Sequence, residues 1–142
     1  MNSGSCLCKS VTYRISAVPS DCSYCYCSVC RKLSGGAMGA YGAVRRDQFE
    51  WASGEALLKT YAQNKQSKRL FCSNCGSCVL SYHDLAPDFY YLSLGCLDSD
   101  QSIEIKYQQF TASKVDWVKL DASVEQYDRY PKWIVEKHMK ST

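Results

Sequence analysis

Cys25-Tyr26-Cys27-Ser28-Val29-Cys30-Arg31-Lys32 places three thiols within one short run, spaced C-x-C-x-x-C, with a basic pair directly after. Two further pairs frame it: Cys6-Leu7-Cys8 upstream, and Cys72-Ser73-Asn74-Cys75 downstream, the second running into Gly76-Ser77. The chain reads as a fold that gathers these sulfurs into two groupings, one closed around a metal and one left open.

The surrounding composition is that of an ordinary globular protein, 46% hydrophobic and 22% charged in 142 residues. That length fits one domain over 1–142, with its core at about 3–130 and a short C-terminal helix at about 131–140. A net charge of +3 spread along the chain argues against nucleic acid as a partner. The densest basic stretch, Lys65 to Arg69, is broken by Gln66 and Ser67 and reads as a solvated strand edge or loop. No window approaches the roughly 18 apolar residues of a membrane span. Met1-Asn2-Ser3-Gly4-Ser5 has neither region of an export signal. The expected location is therefore the reducing cytoplasm, with the nucleus also compatible, where disulfides are rare. Ten cysteines in such a chain point to metal rather than to a disulfide scaffold.

Period-two patterning makes the chain mainly β. Strands are expected at Val11 to Ile15, Ala37 to Val44, Ser67 to Phe71, Cys78 to Tyr82, Phe89 to Leu94 and Ile103 to Phe110. Pro19-Ser20-Asp21 reads as a break before the central thiols, and Phe49-Glu50-Trp51 with Leu57 to Tyr61 as a hairpin turning at Ser53-Gly54. Helix is expected only as a turn at Ser28 to Leu33, stopped by Gly35-Gly36, and at Lys132 to Met139 behind Pro131, after an irregular tail.

A strand, then C-x-x-C-G, then a strand is the layout of a zinc knuckle. Cys6, Cys8, Cys72 and Cys75 together make a four-thiolate set for tetrahedral Zn²⁺, expected to supply folding free energy on the order of 10 kcal/mol. Cys25, Cys27 and Cys30 form a second set whose fate the spacing leaves open. Cys22 closes it if it joins; without Cys22 a fourth position stays free for a thiol; and the set can also lack metal. Arg31 and Lys32 are candidates for receiving the carboxylates of an anionic substrate, against the plainer reading of a solvated pair. Cys78 and Cys96 read as core residues, His83-Asp84 as a turn pair and His138 as solvent-facing.

Gly4-Ser5-Cys6-Leu7-Cys8-Lys9-Ser10-Val11-Thr12-Tyr13 resembles the opening G-x-C-x-C-G-x-V-x-Y of the glutathione-dependent formaldehyde-activating enzyme family. Cys25 to Lys32 resembles its C-H-C-S-x-C-R-K, and Phe71 to Ser77 its F-C-x-x-C-G-S. Gly95-Cys96-Leu97-Asp98 and Ser113-Lys114-Val115-Asp116-Trp117 are similar to its weaker G-x-L-D and S-K-x-x-W signatures. The resemblance implies a β-tent fold, a structural zinc on Cys6, Cys8, Cys72 and Cys75, and a second zinc on Cys25, Cys27 and Cys30 where glutathione binds. It also implies carbon–sulfur lyase chemistry, run in reverse as the condensation of formaldehyde with glutathione, with the three cysteines as the catalytic set. Tyr26 stands where the family has His, and Lys9 where it has Gly. The competing class is a non-catalytic zinc module that binds a protein partner, like other β-tent proteins or the centromere protein V group. Assembly into a homo-oligomer is open under either reading.

Overall fold

The computed structural model describes residues 2–99 and 102–140; the outermost bounds of the expected domain, residue 1 and residues 141–142, lie outside these. A small antiparallel sheet is ordered β1-β2-β5, from β1 (Asn2–Ser5), β2 (Thr12–Ile15) and β5 (Phe49–Ser53). A larger one is ordered β11-β10-β3-β4-β9-β8-β7-β6. Its strands are β3 (Ser20–Cys25), β4 (Gly39–Arg45), β6 (Leu58–Ala62), β7 (Ser67–Cys72), β8 (Cys78–His83), β9 (Phe89–Ser93), β10 (Tyr107–Gln109) and β11 (Glu125–Gln126). Two short helices, α1 (Ser28–Ser34) and α2 (Lys132–His138), complete the mainly β architecture.

Alternation along the strands decides what each face of the large sheet does. Val44, Leu80 and Leu92 point to one side and join Val11, Tyr13 and Ile15 of the small sheet in the core, with Phe49, Trp51 and Leu70 packed against it. Their neighbours Ala43, Ser81, Tyr91 and Arg69 line a cavity on the other side. The register puts Ala43 beside Tyr91, Tyr91 beside Ser81 and Ser81 beside Arg69, so one row crosses four strands. A slip of one residue would exchange the two faces, so core burial also fixes the cavity. Gly4 pairs with Tyr13, and a Cβ there would lie 2.2 Å from the Tyr13 ring; only glycine lets the ring cover the strand.

Several expectations are corrected. Phe49–Ser53 and Leu58–Ala62 are not a hairpin: the first pairs with β2, the second with β7, and the chain passes between sheets at Ser53-Gly54. Between Ile103 and Phe110 only Tyr107–Gln109 is strand, and it runs parallel to both β3 and β11, an exception to the antiparallel rule elsewhere. Asp21 does not end a strand; β3 continues through it with a positive φ of 50° and a register shift between Ser20 and Ser23. The expected irregular tail contributes β11, and the opening residues contribute β1. α2 forms where expected, behind Pro131.

Candidate metal centres and the cavity beside them

Cys6 and Cys8 leave β1 in a tight loop, held where the Cys6 amide donates to the Val11 carbonyl and the Lys9 amide to the Cys6 carbonyl. Cys72 ends β7, and the Gly76 amide closes the knuckle onto the Cys72 carbonyl at 2.8 Å. Gly76 takes φ of 81° there, the left-handed conformation glycine adopts without strain. The Leu7 amide reaches the Ser77 hydroxyl at 2.9 Å and ties the loops together. Cys6 and Cys8 sulfurs are 3.6 Å apart, Cys8 and Cys72 3.9 Å, and all four sulfurs lie within 4.8 Å of one another. Four sulfurs at the usual 2.3 Å from a tetrahedral zinc sit about 3.8 Å apart, so the set fits Zn²⁺. All ten cysteines are unbridged. Burial pushes the Cys6 thiol up to about 11, while hydrogen bonds from Ser10 and Asn74 bring Cys8 to about 7 and those from Ser77 bring Cys75 to about 5. Lys9 holds φ of 62°, a left-handed conformation that glycine would adopt without strain.

Cys25, Cys27 and Cys30 likewise lie within 4.8 Å of one another. Cys25 is the last residue of β3, Cys27 caps α1 by accepting the Cys30 amide at 3.4 Å, and Cys30 sits in the first turn. Hydrogen bonds from Cys25 and Cys30 pull Cys27 far below the usual thiol range, and Cys25 rises correspondingly, so negative charge in the group gathers on Cys27. Three soft donors and no fourth protein sulfur among the described residues fit a zinc with one position left over. Cys22 stays apart. Its sulfur faces the Pro19 and Ser20 carbonyls at 3.5 and 3.9 Å, because three residues along a strand turn it to the face opposite Cys25. Cys78 and Cys96 lie outside both sulfur groups; the Cys96 sulfur is 3.6 Å from the Cys78 carbonyl.

Sequence reasoning missed Arg69. The stretch taken for a solvated edge turns this guanidinium inward, where Nη2 lies 3.9 Å from the Cys30 sulfur and donates to Gln63 Oε1 at 3.1 Å. Nη1 donates to the Tyr41 hydroxyl at 3.3 Å, and Nε is buried without a partner. The one available signal was alternation, which sets Ser67 and Arg69 on the face opposite Leu70. Arg31 instead donates to the Ser113 carbonyl at 2.8 Å, and neither Arg31 nor Lys32 lines the cavity. Tyr26 is buried away from the cavity, its hydroxyl donating to Gln108 Oε1 at 3.0 Å.

From the three thiols the cavity, about 600 Å³, runs over the sheet to α2. His138 lines it and is 4% exposed, contrary to the solvent-facing expectation. Its ring stacks on Phe89 at 4.1 Å, Nε2 meets Asp21 Oδ2 at 2.9 Å and Nδ1 the Tyr91 hydroxyl at 3.0 Å. Lys137 donates to the same Asp21 oxygen at 2.8 Å. His83 is a turn residue, its Nδ1 accepting the Leu85 amide, and Asp84 pairs with Lys68. Among the described residues no helix is long and apolar enough to cross a membrane.

Fold and donor sets together define a class: β proteins that carry one four-cysteine and one three-cysteine group able to hold metal. The chain belongs to the glutathione-dependent formaldehyde-activating enzyme family, whose model matches residues 1–113. It is 28% identical over 126 residues to a Halomonas elongata protein named "Putative glutathione-dependent formaldehyde-activating enzyme", spanning 84% of this chain and 80% of that one. It is 22% identical over 113 residues to an "uncharacterized lyase" of Schizosaccharomyces pombe, covering 80% of each. A crystal structure of a Rhodobacter sphaeroides protein shares the fold, with a TM-score of 0.60 at 22% identity over 70% of this chain and 90% of that chain.

Proposed function

We propose that the chain is a zinc-dependent carbon–sulfur lyase of the formaldehyde-activating type, binding glutathione or a similar small thiol at Cys25, Cys27 and Cys30. Zinc at these thiolates supplies a lowered pKa for an incoming thiol, while zinc on Cys6, Cys8, Cys72 and Cys75 is structural. The observation that carries the reading is the three-thiol group at the head of a cavity, with Arg69 against Cys30.

Arg69 keeps a positive charge beside the reacting sulfur, and the Tyr41 hydroxyl bonded to it fixes the guanidinium. The thiol's sulfur attacks the aldehyde carbon, a carbon–sulfur bond forms, and the carbonyl oxygen takes up the proton the thiol released. The lyase direction reverses each change. Arg31 and Lys32, on α1 beside Cys30, receive thiol carboxylates that remain outside the cavity. The test is the rate of S-hydroxymethylglutathione formation from glutathione and formaldehyde, followed by exchange NMR. Zinc-loaded protein should accelerate exchange and Cys27→Ala should abolish the acceleration; a rate equal to buffer for the native chain contradicts the reading.

A further inference from the structure

We infer that the site takes thiol adducts of bulky apolar carbonyl compounds, an aromatic aldehyde above all, with the aromatic group lodged in the cavity beyond the thiols. The inference rests on the proposed thiol site and concerns what the thiol carries.

Along β3 the cavity is lined by Asp21, Ser23 and Cys25, a span of about 13 Å at the rise of a strand. Beyond the sulfurs it presents the rings of Tyr91, Tyr107, Phe110 and Tyr130 and the aliphatic side chains of Ile134 and Val135. Its charged groups lie mostly in contacts within the protein. Among the described lining residues Arg69 is the one guanidinium, held at the thiol end, and no lysine lines the cavity. Asp21 Oδ2 meets both Lys137 and His138, and His138 spends its second nitrogen on Tyr91. A peptide carboxylate or ammonium pushed inward past Arg69 would exchange its water for neutral side chains such as Gln66, Ser81 and Gln109, a poorer environment for a charge than for an aromatic ring. A hydroxymethyl group adds only two heavy atoms to sulfur and leaves this apolar wall wet. A volume near 600 Å³ that carries these aromatic rings beside its serines and glutamines has room for a ligand larger than a hydroxymethyl adduct.

The closing wall comes from outside the matched region. Tyr130, Ile134, Val135 and His138 lie past residue 113, where the family match ends. α2 is fastened by Lys137 and His138 to Asp21 and by the Lys140 amide to the Leu85 carbonyl at 2.7 Å, and Trp133 packs edge-on against Tyr107. The chemistry is unchanged: the thiol sulfur bonds to the carbonyl carbon, the carbonyl π pair moves to oxygen, and the thiol proton ends on that oxygen. Nothing is oxidised or reduced.

Titration calorimetry on the zinc-loaded full chain tests this with glutathione, S-methylglutathione and S-benzylglutathione. The benzyl thioether should bind about tenfold or more tightly than the methyl one. Val135→Trp, which fills the cavity, should remove that preference and leave glutathione binding within about twofold. Ile134→Trp replaces it if melting shows the first variant unfolded. Glutathione binding with equal affinity for the two thioethers overturns the inference and leaves the thiol site standing. A benzyl preference that survives both substitutions overturns the placement. No binding of any of the three overturns the thiol site and the inference with it, and so does S-benzylglutathione binding without glutathione, because the inference concerns what a bound thiol carries.

Discussion

The four-cysteine and three-cysteine groups use the same donor atom and differ in where the chain finds it. Cys6 and Cys8 meet Cys72 and Cys75 across more than sixty residues of sequence, between a loop of the small sheet and a knuckle of the large one. Cys25, Cys27 and Cys30 come from one strand end and one helical turn. A group assembled from distant segments carries the fold; a group assembled from one segment can be altered while the fold persists. All three sulfurs of the second line the larger cavity, about 600 Å³, whereas of the first only Cys75 lines a pocket, about 480 Å³.

The largest effect should come from the first group. Cys72→Ala removes a fully buried candidate ligand, and a structural zinc held there would contribute on the order of 10 kcal/mol, as much as a domain's whole stability. Circular dichroism should show an unfolded chain. Cys27→Ala, by contrast, should leave the melting temperature within a few degrees and lower zinc from two ions per chain to one by elemental analysis. If the two variants behave alike, the division between the centres is wrong.

Arg69→Met comes next. Loss of the charge beside Cys30 should slow adduct exchange by about 10–100-fold, the usual worth of a hydrogen bond to a charged group. Stability should hold or rise, since an apolar chain replaces a half-buried cation. A parallel fall in melting temperature would make Arg69 structural instead.

A smaller effect concerns α2 and pH. Burial holds His138 below its ordinary pKa despite Asp21, and although burial works against it, hydrogen bonds from Lys137 and His138 hold Asp21 below its own. Both shifts have the same sign: the unfolded chain binds more protons, so the stability they contribute is present above about pH 6.5 and lost as pH falls through the His range and then the carboxylate range. The groups facing His138 are Asp21, Tyr91 and the Phe89 ring, with Lys137 on the same Asp21 oxygen. Amide exchange in α2 should quicken relative to the β-sheet core between pH 7 and 4, and His138→Gln should flatten the upper part of that profile. The smallest effect is Lys9→Gly, which relieves a left-handed lysine and should raise stability by about 1 kcal/mol in urea denaturation.

The centres were legible because metal ligation needs particular side chains at particular spacings, and C-x-C with C-x-x-C-G writes both into short stretches. Most strands were legible from alternation, though not β1, β3 or β11, and helix α2 was legible from Pro131. Pairing was not. Ser53-Gly54 carries the signal of a tight turn, yet Phe49–Ser53 finds its partner in Thr12–Ile15, a contact no local pattern encodes. His138 reads as solvent-facing because its partner Asp21 stands at the other end of the chain. Arg69 is hidden by its basic neighbours, although strand alternation turns it away from them.

Zinc-edge X-ray absorption on the metal-loaded chain, with and without glutathione, tests most directly that one centre is sealed and the other open. The expected result is mean sulfur coordination near 3.5 per zinc without glutathione, rising to about four with it in the native protein. In Cys27→Ala it should stay near four throughout. Full sulfur coordination of both ions before any thiol is added, or no change when it is, would contradict the division.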